Sequence, residues 1–503
     1  MRYLFVFLVF IVLLFSSSCR KDFDTIPSFG NLEFSKDTVF LDTIFTNIGS
    51  ATYNLKVYNR SNNNITIPKI SLENGISSKY RLNVDGIAGK EFTTIDILAK
   101  DSIYVFIETT INAASTSNPL YTDKILFDNG NNQQKVDLVT LVQDANFIFP
   151  EKDALTMKID SLTLGGEPTT IQGRFLKDSE LNFTNAKPTV IYGYAAVPYN
   201  KTLTIEAGAK VYFHDNSGLI VENQATLKVN GTLNEKVVFE GDRLENSFSK
   251  TPGQWGTILL LPGSQDNFIN HAIIKNAIIG LWMGDLLGSE KETNIVLQNS
   301  EIYNNSAYGI WARSSKIEAN NLVIGSAGQS SLALTMGGSY NFTHCTFANY
   351  WSNSLRQLPA VLVNNYQDFT DENNQEVRFV NNLNAANFTN CIFDGTNNFE
   401  LFLDKVEGSL FNYNVSNSLI KFSPFSDTLI NNPEMDFTNT SFYQNNSVNG
   451  IPNFRNTQNE DFIIGEESDA INKAKTTSFS LDILGVDRSL SPDIGAYQHI
   501  IFK

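Results

Sequence analysis

The strongest constraint on this chain is a six-residue pattern that recurs along its second half. It reads INHAII (269–274), LQNSEI (297–302), ANNLVI (319–324), FTHCTF (342–347), FTNCIF (388–393) and LFNYNV (410–415). The first and sixth positions are mostly large and apolar. The third is always Asn or His: His271, Asn299, Asn321, His344, Asn390 and Asn412. The steps between these are 28, 22, 23, 46 and 22 residues. Self-similarity at such a period marks a repeat architecture, and a step near 22 is one turn of a right-handed parallel β-helix. The longest step contains the polar insert NNYQDFTDENNQEVRF (364–379), so it is compatible with a single enlarged turn.

Stacking gives the Asn and His column a physical reason. Neighbouring strands lie about 4.8 Å apart, so equivalent side chains of successive turns stand one above another. An amide both donates and accepts, and a buried column of amides can bond along its length. The column is therefore read as a structural ladder, with His271 and His344 as substitutes in it and not as a catalytic pair. Cys345 and Cys391 share the next position, where small core residues are expected. Adjacent parallel strands hold two cysteines awkwardly for a disulfide.

Each repeat carries a second strand: GLWM (280–283), GIWA (309–312), SLAL (331–334), AVLV (360–363) and ELFL (400–403). Strand side chains alternate. If Leu281, Ile310, Leu332, Val361 and Leu401 face the core, then Trp282, Trp311, Ala333, Leu362 and Phe402 form an outward column. Trp282 and Trp311, with Asp285, Arg313 and Phe402, are the candidate binding residues. Exposed rings offer flat apolar surface to a sugar or a partner protein. The competing reading is that a loop such as 240–255, or the N-terminal domain, covers them.

Upstream, short alternating segments such as DTVFLDTIFTN, YNLKVYN and SIYVFIETTI are parted by turn clusters such as NIGSA and NRSNNN. That spacing suits an immunoglobulin-like β-sandwich over 31–148. The expected fold class is all-β: a sandwich, a linker and cap over 149–202, a right-handed parallel β-helix over 203–460, and a closing segment over 461–503.

The amino terminus reads as an export signal over 1–18, followed by a tether over 19–30. Arg2 precedes the apolar run YLFVFLVFIVLLF, which is too short to span a bilayer comfortably. Ser16, Ser17 and Ser18 then lead to Cys19. Small residues before a cysteine resemble a bacterial lipobox, although Ser16 stands where Leu is commonest. Either Cys19 is lipidated as the first mature residue or it is incidental to an ordinary signal. Acyl chains there would tether the protein, each buried methylene contributing about 0.8 kcal/mol. The following RKDFD resembles a surface-export tag of Bacteroidota-type lipoproteins.

The closing segment carries the most specific resemblance. Asp482, Gly485 and Arg488 precede PDIGAYQ (492–498), and PGQWGTI (252–258) lies upstream. The chain resembles the parallel β-helix repeat surface lipoproteins of the Bacteroidota type, with Gln498 in place of that family's acid. The resemblance implies an outer-membrane, lipid-anchored location facing the cell exterior. The family has no agreed chemistry, so the resemblance implies fold and location and no activity; a component of an outer-membrane assembly or export machine is one example of the binding role left open.

Composition and motifs narrow the function further. With 37 Lys+Arg against 53 Asp+Glu, the net charge is −16. No basic run occurs, which argues against a nucleic-acid partner. No cofactor or metal site is expected, since the four histidines are scattered. The acidic cluster Asp368, Asp371, Glu372 and Glu376 lies in the polar insert and reads as a solvated loop. No facing carboxylate pair for glycoside hydrolysis stands out. The expectation is a non-catalytic surface protein that binds a glycan or a protein partner. The alternative is a polysaccharide lyase or glycoside hydrolase acting in a groove of the β-helix.

Overall fold

The computed structural model describes residues 24–112, 119–284, 291–370, 374–423 and 426–502. Cys19, Asp285, Asp371 and Glu372 lie outside the described residues. The chain is all-β and includes long parallel sheets. It divides into two compact units, Met1–Asp144 and Ala145–Lys503.

In the first unit, two sheets share one core. The six-stranded sheet contains Thr38–Phe45, Ile65–Leu72, Glu91–Ile97, Leu120–Phe127 and Gln134–Gln143, with Ile26–Pro27 at an edge. The five-stranded sheet contains Tyr53–Tyr58, Tyr80–Val84 and Ser102–Thr109, with Glu33–Phe34 and Ile87–Gly89. Alternation aims one face of each sheet inward, so Val57, Val105, Ile125, Phe127 and Leu138 are buried in the same cluster. Pairing is mostly antiparallel, but Gln134–Gln143 runs parallel to Thr38–Phe45.

The second unit is a coil of parallel strands. Successive turns add strands to an 11-stranded and an 18-stranded sheet, counted among the described residues. The repeat pattern drives this directly: its apolar positions fill the interior. Phe342 stacks on Phe388 at 5.2 Å, and Phe347 on Phe393 at 5.5 Å. Trp255 stacks on Phe213 at 4.2 Å. Cys345 and Cys391 are buried free thiols in this interior.

Parallel stacking begins before residue 203. Asn146–Ile148 pairs with Thr189–Ile191, which pairs with Lys210–Phe213. The segment 149–202 therefore supplies early turns as well as an antiparallel hairpin, Ser161–Leu164 with Glu167–Phe175. The sequence hid these turns because a bend here uses another residue, Gly193 at φ 68°.

The ladder residues share a backbone state. His271, Asn299, Asn321, His344 and Asn390 all have φ between 46° and 58°. Asn and His tolerate this left-handed region better than most residues, and that selects them at the bend. Asn412 is not part of the column. It lies inside the strand Phe411–Ser416, exposed. Ile392 pairs with Leu419, so the residue equivalent to Asn390 is Asn417, at φ 49°. The segment LFNYNV mimics the pattern because a strand with apolar ends and a central Asn looks the same as the bend. A second left-handed column, Asn276, Asn304 and Ser326, turns the opposite bend, and Asn304 Nδ2 donates to Asn276 Oδ1 at 2.7 Å.

The carboxyl-terminal segment packs on the outer face of the 11-stranded sheet. Ile483, Ala496 and Tyr497 pack with Val323 and Ala348, and Ile494 with Ile392 and Leu419. The motif residues hold this segment together. Asp482 accepts from the backbone N–H groups of Leu484, Val486 and Gln498. Arg488 donates to the carbonyls of Gly495 and Ala496 at 3.1 and 3.0 Å. Gly495 sits at φ 99° and its N–H bonds the Asn390 carbonyl, a position that a side chain would strain.

Candidate functional site

The outward column exists and runs in one register over many turns. Ala196 pairs with Ile220, Ile220 with Leu259, and Leu259 with Trp282. Trp282 pairs with Trp311, Trp311 with Ala333, Ala333 with Leu362, and Leu362 with Phe402. Their neighbours Leu281, Ile310, Leu332, Val361 and Leu401 are fully buried, as alternation requires.

The first part of this column is covered by the chain itself. Leu162, from the hairpin, packs with Ala196, Ile220 and Leu259 in one cluster, joined by Leu164, Ile171 and Trp282. Trp282 stands half-buried at the edge of that cover; beyond it Trp311, Leu362 and Phe402 are half-buried, and Ala333 between them is buried.

The rings do not form the flat platform expected of them. Trp282 and Trp311 stack on each other, with centroids 5.3 Å apart and planes at 15°. Tyr308 also stacks on Trp311 at 5.1 Å, and the Arg313 guanidinium lies 3.9 Å from the Trp311 ring centre. Strand spacing explains this: rings one turn apart fall at the offset-stacking distance. The Trp311 faces are thus engaged within the chain. Its Nε1 donates to Thr335 Oγ1 at 3.2 Å. Arg313 is buried, so it braces the stack and is not a free surface cation.

The ladder is a docking strip for the closing segment. Asn321 Nδ2 donates to Asn299 Oδ1 at 2.8 Å and to the Leu481 carbonyl at 3.1 Å. Asn390 Nδ2 bonds His344 Nε2 at 2.9 Å, and Asn390 also exchanges bonds with the Lys475 backbone. Asn299 turns to Asn270 at 3.0 Å and not to His271. Burial, reinforced by the Arg488 charge, pushes the His344 imidazole down to about 3, so it is neutral. Burial also lowers His271.

Asp368 is paired with Arg378 across an antiparallel hairpin, Tyr366–Thr370 with Glu376–Val380, and both residues are exposed. Glu376 is exposed in that hairpin. These acids do not converge on a groove.

Sequence reasoning missed a cleft of about 490 Å³ on the other side of the coil. It lies where the bends at Asn304, Ser326 and Tyr350–Asn353 meet the tip of the hairpin Phe454–Asn456 and Asp461–Ile464. Phe462 anchors that hairpin on Val323 and Ala348. Lys250 donates to Asn459 at the tip. Under the floor, Arg356 and Glu400 form a fully buried ion pair. Arg356 also reaches Thr396 Oγ1 at 3.3 Å. Tyr350 donates to Asp394 at 2.6 Å. Among the described lining residues, Glu460 is the only acid, and burial pushes its carboxyl up to about 7. Residues from 250 to 460 build this site, so no local motif announces it.

No protein-family model matches the chain, and no curated protein matches it. Among solved structures, a family 123 glycoside hydrolase from Clostridium perfringens aligns over 22% of this chain and 27% of its own length. Its identity is 12% and its TM-score 0.16. This chain therefore matches only about a quarter of that protein. The PapD-like domain 7 of human CEP192 aligns over 26% of this chain and 97% of its own, at 11% identity and TM-score 0.17. The catalytic unit of a GH87 α-1,3-glucanase from Streptomyces thermodiastaticus covers 73% of each chain, at 12% identity and TM-score 0.23. Scores this low transfer neither fold nor activity. Among the described residues no helix is long and apolar enough to cross a membrane, and no cluster of His, Cys, Asp or Glu could hold a metal ion.

Proposed function

We propose that this is a lipid-anchored outer-membrane protein facing the cell exterior, tethered through Cys19. In this reading an immunoglobulin-like sandwich precedes a right-handed parallel β-helix, and the protein holds a partner without catalysis. The observation that carries the reading is the apolar outer column. Its first turns, as far as Trp282, are sealed by the chain's own hairpin, while the same column continues through the half-buried Trp311, Leu362 and Phe402, with Ala333 buried between them. An apolar strip continuing past its intramolecular cover is typical of an interaction face. A protein partner fits better than a glycan, because the Trp311 faces that a sugar would need are already stacked.

Two measurements test this. Cys19→Ala is expected to shift the protein out of the membrane fraction or leave it unprocessed; wild-type processing and fractionation would overturn the anchor. A photo-crosslinking residue at position 362 is expected to give a discrete protein adduct in cells, and one at position 220, beneath the hairpin, none. No adduct at 362, or a glycan adduct alone, would overturn the partner.

A further inference from the structure

We infer that the cleft beside Trp351 binds a neutral carbohydrate, one or two sugar rings deep, at a site distinct from the outer column. Several features of the cleft support this. Its volume, about 490 Å³, lies within the range of small-molecule sites. A sugar presents an apolar ring face and a rim of hydroxyls that both donate and accept. The lining matches both. Trp351, whose side chain is mostly buried, and Tyr350, whose ring packs on Phe462 and Phe454, supply aromatic wall, and Asn353, Gln458, Ser352 and Glu460 supply amide, hydroxyl and carboxyl groups.

The aromatic residues are held in place before any ligand arrives. Trp351 Nε1 donates to Ser354 Oγ at 2.9 Å, and its backbone N–H bonds Asn349 Oδ1 at 3.3 Å. The Tyr350 hydroxyl is committed to Asp394. The buried Arg356–Glu400 pair fixes the floor, with Glu400 accepting the N–H groups of Asn397 and Ala360, each at 2.7 Å. Such fixed supports reduce the ordering cost of binding.

Charge selects the class of sugar. The described lining holds one acid, Glu460, and one base, Lys250, the latter engaged by Asn459. A sulfated or uronic-acid chain would meet no cluster of cations. A carboxyl group can instead take two neighbouring hydroxyls of a neutral ring. One acid without a facing carboxylate also lacks the pair that glycoside hydrolysis requires. The site therefore retains its sugar and does not cleave it.

The test uses the full chain with neutral trisaccharides (maltotriose, laminaritriose, cellotriose, mannotriose and chitotriose) and with heparin trisaccharide as the anionic control. Saturation-transfer NMR and calorimetric titration are expected to detect binding of at least one neutral probe. Glu460→Gln and Asn353→Ala are each expected to weaken it at least fivefold, and Trp351→Ala to abolish it. Thermal melts of all variants identify any that fail to fold, and the two polar variants carry the test if Trp351→Ala does. Leu362→Ala, on the outer column, is expected to leave sugar affinity unchanged, which separates this site from the partner surface. No binding of any neutral probe, binding of the anionic control alone, or affinity unaltered in Glu460→Gln and Asn353→Ala would overturn the inference. So would release of a shorter product.

Discussion

Trp282 and Trp311 occupy equivalent positions on adjacent turns, and their rings stack 5.3 Å apart within 15° of parallel. The pair is a strut on the outside of the coil as well as part of a surface. A double-mutant cycle with Trp282→Ala and Trp311→Ala is expected to show a coupling of about 0.5–1.5 kcal/mol in fold stability. Trp311→Ala alone is expected to cost about 2 kcal/mol, less than for a fully buried ring. Urea unfolding measures both. Additive effects would mean the rings do not stack in solution.

That pair also shows how far the sequence could be read. Alternation in GLWM and GIWA, aligned one long turn apart like His271 and Asn299, is enough to place Trp282 over Trp311 and to bury Leu281 and Ile310. Ring orientation is not in the pattern: it follows from the strand spacing and from Tyr308 and Arg313 closing on Trp311. The cover over the column was hidden too, because Leu162 and Ile171 reach it from a hairpin far upstream. The pattern misplaces Asn412 because a polar residue inside a strand and one at a bend look alike when steps vary; the backbone at Asn417 decides it. The Trp351 cleft was invisible because its walls are joined only by the coil.

Asn321 combines a left-handed backbone with two side-chain bonds, to Asn299 and to the Leu481 carbonyl. Asn321→Leu removes both bonds and places a branched side chain at φ 50°, so a loss of about 2–4 kcal/mol is expected. Asn321→Gly keeps the backbone free and removes only the bonds, and is expected to cost about 1–2 kcal/mol. Equal losses in the two variants, measured by thermal melts, would mean the bend is unstrained.

Arg356 and Glu400 are an ion pair with almost no solvent contact. Removing one partner strands the other charge in the interior. Arg356→Met and Glu400→Gln are each expected to cost about 3–5 kcal/mol, whereas replacing both by apolar residues of similar volume is expected to recover much of it. Chemical denaturation of the single and double variants checks this. A double variant no better than the worse single would show that the hydrogen bonds to Thr396, Asn397 and Ala360 matter more than the paired charges.

His344 makes the fold acid-sensitive at one identifiable place. Its ring is fully buried, and Nε2 takes the amide hydrogen of Asn390, a bond that needs neutral imidazole. In the folded chain it is held near 3, against about 6.5 when unfolded. Below about pH 6.5 the unfolded chain therefore takes up a proton that the folded chain refuses. The stability contribution is complete above pH 6.5 and is lost as pH falls toward 3. At pH 5 the loss from this group reaches about 2 kcal/mol. Asn suits the same left-handed bend, at φ 52°, and cannot titrate. His344→Asn is expected to match the wild type within about 1 kcal/mol at pH 7.5 and to exceed it at pH 5. Urea unfolding at the two pH values measures the difference. Parallel pH profiles for the two proteins would mean that the ring can reach solvent when it is protonated.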